Sequence, residues 1–145
     1  MQLVSDDLRD GELMPSTFTC DGQDVAPQLG WRNVPEGTKS FALRCFDPDA
    51  PGGGFTHWLV ANLPHTCRQL PRGGPLPDAA VEVLNDFGKT GYGGPCPPSG
   101  THRYEFTLYA LNVVELRGLT AENFLDQVRR CAVAQATLTA PYRRR

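Results

Sequence analysis

Two carboxylates, a glycine run and an imidazole fall close together in DPDAPGGGFTHWLVANLP (47–64). A second imidazole, His102, closes the segment GYGGPCPPSGTH (91–102). Acid–base catalysis, a divalent metal and a bound anion are the three chemistries these residue types allow. Pro48 fixes the backbone after Asp47, and Pro51 restricts Ala50, so the acids sit in a stiff frame. Either acid can also close the turn through its own backbone bond. The expectation is a division of labour, with one acid supporting the loop and the other facing the site.

Strand alternation places His57 in a row with Leu59, Ala61 and Leu63, where a single histidine serves a core as readily as a site. His102 opens a second row that continues through Tyr104, Phe106 and Leu108. Two histidines, each at the mouth of a buried face and beside a glycine-rich loop, argue for a shared pocket. The loop GGPCPPSG adds backbone donors. Pro95, Pro97 and Pro98 carry no N–H, which leaves Gly93, Gly94, Cys96, Ser99 and Gly100 to form an anion-binding concavity. The pattern GxxxxGK[ST] is absent, so nucleoside triphosphate hydrolysis has no support.

Cys96, His102 and Asp47 have the residue types of a thiol hydrolase, the alternative reading. Cys96 stands between prolines, however, with no helix N-terminus to lower its pKa. Asp47, Asp49, His57 and His102 suit a metal as donors but lack HxxxH or HExxH spacing, so no metal and no cofactor is expected. The expectation is a non-catalytic anion pocket in which Asp47 orients a histidine or accepts a proton from a ligand hydroxyl or ammonium. Such a carboxylate raises histidine pKa values, so anion affinity should fall between about pH 6 and 8.

The elements that must position these groups are short. Thirteen prolines and fifteen glycines punctuate the 145 residues, which favours strands over long helices. Strands are predicted at 40–46, 57–63 and 102–111, with weaker ones around Leu29–Trp31 and at 79–84. The second is apolar on both faces, as a central strand must be. Residues 64–78 read as an irregular surface loop. One helix is predicted over 121–138, capped by Thr120, with Phe124, Leu125, Val128, Ala132 and Ala136 as its stripe and Pro141 as its stop. The fold class is therefore mainly β with a C-terminal helix, an antiparallel two-sheet sandwich, in one domain spanning 1–145.

Composition narrows the partners. A net charge of −2 argues against a nucleic-acid surface, and Arg143–Arg145 reads as a solvated tail. No run reaches the ~18 apolar residues of a membrane span, and the acidic N-terminus has no signal-peptide h-region. Five scattered cysteines without zinc spacing fit a reducing cytoplasm better than a disulfide framework.

DPDAP (47–51), HW (57–58) and GPCPPSGTHRY (94–104), in that order, resemble the phosphatidylethanolamine-binding protein family, specifically its prokaryotic Raf kinase inhibitor-like branch. FTCDGQDVAPQLGW (18–31) and NDFGKTGYGGPCPPSGTHRYEFTLYAL (85–111) agree, and the likeness spans roughly residues 12–142. The resemblance implies a β-sandwich with a small pocket at one end that accepts phosphate-like groups, a phospholipid head group among them. It implies ligand contacts from Asp47, His57, Gly94, Cys96, Pro98 and His102, supported by Asp49, Pro51, Trp58, Pro97 and Tyr104. It also implies a regulatory role through binding a kinase or protease, and a homodimer as in prokaryotic relatives. Where such relatives often carry a histidine near the C-terminal helix, this chain reads Arg129-Arg130-Cys131. It also lacks the C-terminal extension of eukaryotic members, so a more open pocket is expected.

Overall fold

The computed structural model describes residues 1–144. Eight strands, a 3₁₀ turn and one helix follow each other in the order β1 (Gln2–Val4), the 3₁₀ turn Ser16–Phe18, β2 (Leu29–Arg32), β3 (Ser40–Asp47), β4 (Phe55–Pro64), β5 (Gln69–Leu70), β6 (Val81–Val83), β7 (His102–Leu111), α1 (Phe124–Cys131) and β8 (Ala132–Tyr142). Strands β1-β2-β5 form a small antiparallel sheet, and β6-β4-β3-β7-β8 form a five-stranded one.

The two sheets enclose the main core. Leu3, Leu29, Trp31 and Leu70 from the small sheet meet Phe41, Leu43, Val60, Phe106 and Leu108 from the large one. On the other face of the large sheet, Ala42, Leu59, Ala61 and Tyr109 pack under Phe124 and Val128 of α1. β4 is thus buried on both sides, which explains its unbroken apolar run. This is the expected sandwich.

Alternation is broken twice in β4, and both breaks matter. Phe41 pairs with Leu63 but Leu43 with Val60, so an extra residue is accommodated around Asn62, whose φ is +60°. Leu63 consequently joins the core of Trp58 and Val60 rather than the face of Leu59 and Ala61. Cys45 pairs with Trp58 and Phe46 with Thr56, which leaves His57 unpaired in a second β-bulge. Bulges re-aim a side chain relative to strict alternation. His57 therefore meets Tyr104, a residue of the core face, instead of following Leu59 and Ala61 as the expected row has it.

The predicted helix over 121–138 is only half helix. Thr120 is not its cap: the helix starts at Phe124 with Asn123 at the N-cap position, and Thr120 closes the preceding turn, its N–H donating to Asn123 Oδ1 and its Oγ1 accepting from the Asn123 N–H. The helix ends at Cys131, and β8 runs on from Ala132 through Pro141 to Tyr142. Val133, Gln135 and Thr137 point outward while Leu138, Ala140 and Tyr142 are buried, a period of two. Ala132 and Ala136 fit a helical stripe and a strand equally well, and pairing with β7 along its length decided the matter. Pro141 does not stop the element, because β8 lies at the sheet edge where a missing N–H costs no ladder bond. The 64–78 loop holds the short β5, and β1 was not anticipated.

Candidate anion pocket

The N-terminal ends of β4 and β7 and the C-terminal end of β3, the three inner strands, meet at one end of the large sheet. There they surround a cavity of about 180 Å³. β3 supplies Asp47, β4 Phe55 and His57, and β7 His102 and Tyr104; loops add Ala50, Pro51, Phe87 and Cys96 to Pro98. Gly54, at φ +112°, makes the turn into β4 possible, since a Cβ there would sit 2.2 Å from Phe46 Cζ.

Asp47 is 2% exposed and has both carboxylate oxygens engaged. Oδ1 accepts the Asp49 N–H at 2.8 Å, closing the DPDAP turn. Oδ2 lies 2.6 Å from His102 Nδ1, so His102 donates from Nδ1 and keeps Nε2 as its only ring atom for a ligand. Asp49 turns away from the pocket. It accepts from the Arg103 backbone N–H and guanidinium at 2.8 to 3.0 Å, and Arg103 holds its carboxyl at about 2. The expected division of labour between the two acids is therefore what the fold builds.

His57, 4% exposed, is anchored differently. Its Nδ1 lies 2.6 Å from the Gly93 carbonyl, which only a protonated Nδ1 can satisfy. The Gly93 N–H returns to the His57 carbonyl at 3.1 Å. Asn85 Nδ2 adds bonds to the His57 and Gly91 carbonyls, so the bulge and the glycine loop are stitched together. The ring packs edge-on against Tyr104 and Phe87. Burial lowers the His57 pKa, outweighing the opposing pull of the Gly93 bond and of Asp47. This corrects the expectation that a neighbouring carboxylate makes His57 more basic: burial outweighs it. Burial and the nearby Asp47 also push the Tyr104 hydroxyl well above its ordinary range.

Several expected residues have other places. Gly94 does not line the pocket. Its N–H donates to Asp24 Oδ1 at 2.8 Å, and a Cβ there would lie 2.4 Å from the Phe18 carbonyl. Its role is close packing of the loop, and its N–H is not free for an anion. Trp58 donates to Glu82 and, with Asp24 and Tyr92, lines a separate cavity beyond the Gly91–Gly94 stretch. Phe55 and Phe87, which give the pocket aromatic walls, were not anticipated. Their only sequence signal is an aromatic beside a glycine turn, which is too common to single out.

The largest correction concerns Cys96. It forms a disulfide with Cys20, 76 residues away, and Cys45, Cys67 and Cys131 are free. Spacing cannot reveal such a pair, because only the fold brings the 3₁₀ turn region against the proline loop. The Cys20 N–H also donates to the Pro95 carbonyl at 3.0 Å. The thiol reading of Cys96, His102 and Asp47 accordingly lacks its nucleophile. Metal chemistry gains no donor set either: among the described residues no group of three or more His, Cys, Asp or Glu could hold an ion.

Among the described residues no lysine or arginine lines the pocket. Two imidazole Nε2 atoms are therefore its main polar offer, set among aromatic rings and prolines. No helix among the described residues is long and apolar enough to cross a membrane.

Comparison with known proteins agrees with this architecture. Residues 4–143 match the family model for phosphatidylethanolamine-binding protein. A UPF0098 protein of Methanothermobacter thermautotrophicus is 44% identical, with 99% of each chain covered. UPF0098 protein YbhB of Escherichia coli is 42% identical over 98% of this chain and 99% of its own. The crystal structure of E. coli YbcL, described as a new member of the mammalian PEBP family, superposes with a TM-score of 0.94 at 35% identity, covering 99% and 98% of the two chains. A Chlamydia trachomatis PEBP homologue reaches a TM-score of 0.91 at 36% identity, over 99% and 97%. With its sandwich, its two histidines and its proline loop in these places, the chain belongs to the phosphatidylethanolamine-binding protein family.

Proposed function

We propose that the protein is a non-catalytic binding module whose histidine pocket takes a phosphate-like anion or a phosphorylated group together with a proton. The observation that carries this is His57: its Nδ1–H is spent on Gly93, and burial keeps the free ring neutral. An anion beside Nε2 favours the imidazolium, so its arrival raises the His57 pKa and draws a proton in. With no lysine or arginine on the walls, this proton supplies charge compensation for the ligand. The absence of a free thiol at Cys96 speaks for binding rather than turnover.

The same pocket suits a phospholipid head group or an acidic or phosphorylated side chain. Regulation of a kinase or protease, a homodimeric state and a cytoplasmic location belong to this reading through the family likeness. Within a reducing cytoplasm the Cys20–Cys96 pair would depend on its protection from reductants.

The sign of the pH dependence follows from the geometry. In the free protein His57 titrates below its ordinary value of ~6.5, and in the complex above its free value. Affinity falls as pH rises through that interval, which begins below the pH 6–8 window expected from free histidine. Sulfate, which does not itself titrate there, is the clean probe. Calorimetry in buffers of different ionisation enthalpy should show proton uptake and a falling affinity, both absent in His57→Ala. Flat sulfate affinity between about pH 5 and 8, or no binding at any pH, overturns the reading.

A further inference from the structure

The histidine pocket is small for a complete ligand. Small-molecule sites commonly occupy ~300–1,000 Å³, and this one holds about 180 Å³. On the far side of Pro98, which belongs to both, lies a second cavity of about 820 Å³. Leu13 and Met14 give it an apolar flank; Asp21, Tyr142, Arg143 and Arg144 give it a charged one. Arg143 and Arg144 are thus not simply a solvated tail; Arg145 lies outside the described residues.

The charges on these walls are two guanidiniums against one carboxylate. Asp21 is already committed, accepting from the Tyr142 hydroxyl at 2.5 Å and lying 3.0 Å from Arg144. The cavity therefore offers a net positive charge, centred on Arg143. The histidine pocket, in contrast, carries no permanent cation. The wall between the two is fixed, since the loop containing Pro98 is tied to the segment before Asp21 by the Cys20–Cys96 bond and the Cys20 N–H to Pro95 contact. Two anion-receptive places at a fixed spacing select ligands by the distance between their charges.

We infer that the natural ligand is bipartite, a phosphate-like head in the histidine pocket joined by a short apolar spacer to a second anionic group at Arg143. This rests on the anion-pocket reading above and adds the second subsite. The chemistry is shared by a small metabolite with two acidic ends and by a peptide bearing a phosphorylated and an acidic side chain.

The test uses calorimetry on the full chain with methylphosphonate and a series of ω-carboxyalkyl phosphonates of about two to eight methylenes. Affinity should peak at one spacer length, about tenfold above methylphosphonate, the effect of one charge-assisted contact. Arg143→Ala should remove the peak and leave methylphosphonate binding unchanged, and Arg143→Lys should retain most of it. A parallel series of amidated peptides, each with one phosphoserine and one glutamate at increasing separation, distinguishes the sources. A peak among the peptides assigns a protein segment, and a peak among the alkyl compounds alone assigns a metabolite. Affinity that is flat, or climbs steadily with length and equally in Arg143→Ala, overturns the second subsite while methylphosphonate binding keeps the first. No methylphosphonate binding overturns the pocket reading, and this inference with it.

Discussion

Removing the Cys20–Cys96 crosslink should cost the protein a large part of its stability. The bond closes a loop of 76 residues. In the chain-entropy account, this restricts the unfolded ensemble by about 4.5 kcal/mol at 25 °C. A domain of this size loses roughly 2–4 °C of Tm per kcal/mol, so Cys20→Ser/Cys96→Ser should melt about 9–18 °C lower. The folded state itself should persist, because the Cys20 N–H to Pro95 and Gly94 N–H to Asp24 bonds hold the same loop without the sulfurs. In urea the variant should also show a steeper slope, since its unfolded chain exposes more surface than the crosslinked one. Alkylation under denaturing, non-reducing conditions, read by mass spectrometry, establishes first that three of the five cysteines react. Five reactive cysteines in protein purified without reductant would refute the pairing. Coincident melting of wild type and variant, with the crosslink present in one, would refute the entropic argument.

Three further outcomes follow from the same geometry. Asp47→Asn removes the ionised acceptor of His102 Nδ1 and should cost about 2 kcal/mol in urea unfolding. Nitrogen chemical shifts of His102 should show it losing its Nδ1–H tautomer, and an unchanged tautomer would mean that Asp47 does not set it. Gly94→Ala forces a Cβ to 2.2 Å from Asp24 Oδ1 and 2.4 Å from the Phe18 carbonyl, so unfolding should register a loss of about 1–3 kcal/mol. Arg103→Ala should let the Asp49 carboxyl climb from about 2 toward the ordinary carboxylate range, followed by NMR titration. The stability linked to that depressed pKa is present above the unfolded value and is lost as pH falls through about 2.

The site divides along physical lines into what local sequence carries and what it does not. Asp47, Asp49 and His102 were legible because their positions are set by nearest neighbours: prolines that stiffen a turn, and a strand that begins at His102. The turn itself indicates only that one acid supports the loop and the other faces the site; the family resemblance singles out Asp47. His57 lines the cavity but stands on another row than alternation gives, because a bulge is a property of two strands in register and neither strand announces it. Gly94 looked like a donor because the prolines of its loop carry no N–H, yet its own N–H is claimed by Asp24, 70 residues earlier. Phe55 and Phe87 became pocket walls only when β4 and the 85–93 loop met.

The same division holds for the fold. Alternation in β3 and β7, the continuous apolar run of β4 and proline–glycine punctuation determined these strands, because such patterns are imprinted residue by residue. The switch from α1 to β8 was not determined locally. Small alanines satisfy either period, and the ladder offered by β7 tipped the balance at Cys131. The sequence by itself thus settled which residue types gather at the strand ends, since turn chemistry and periodicity are short-range. The tertiary structure alone decided that Cys20 reaches Cys96, that burial lowers the His57 pKa, and that Arg143 lines a cavity beside the pocket. Each of those depends on groups far apart in the chain, whose energies exist only once the two sheets have closed.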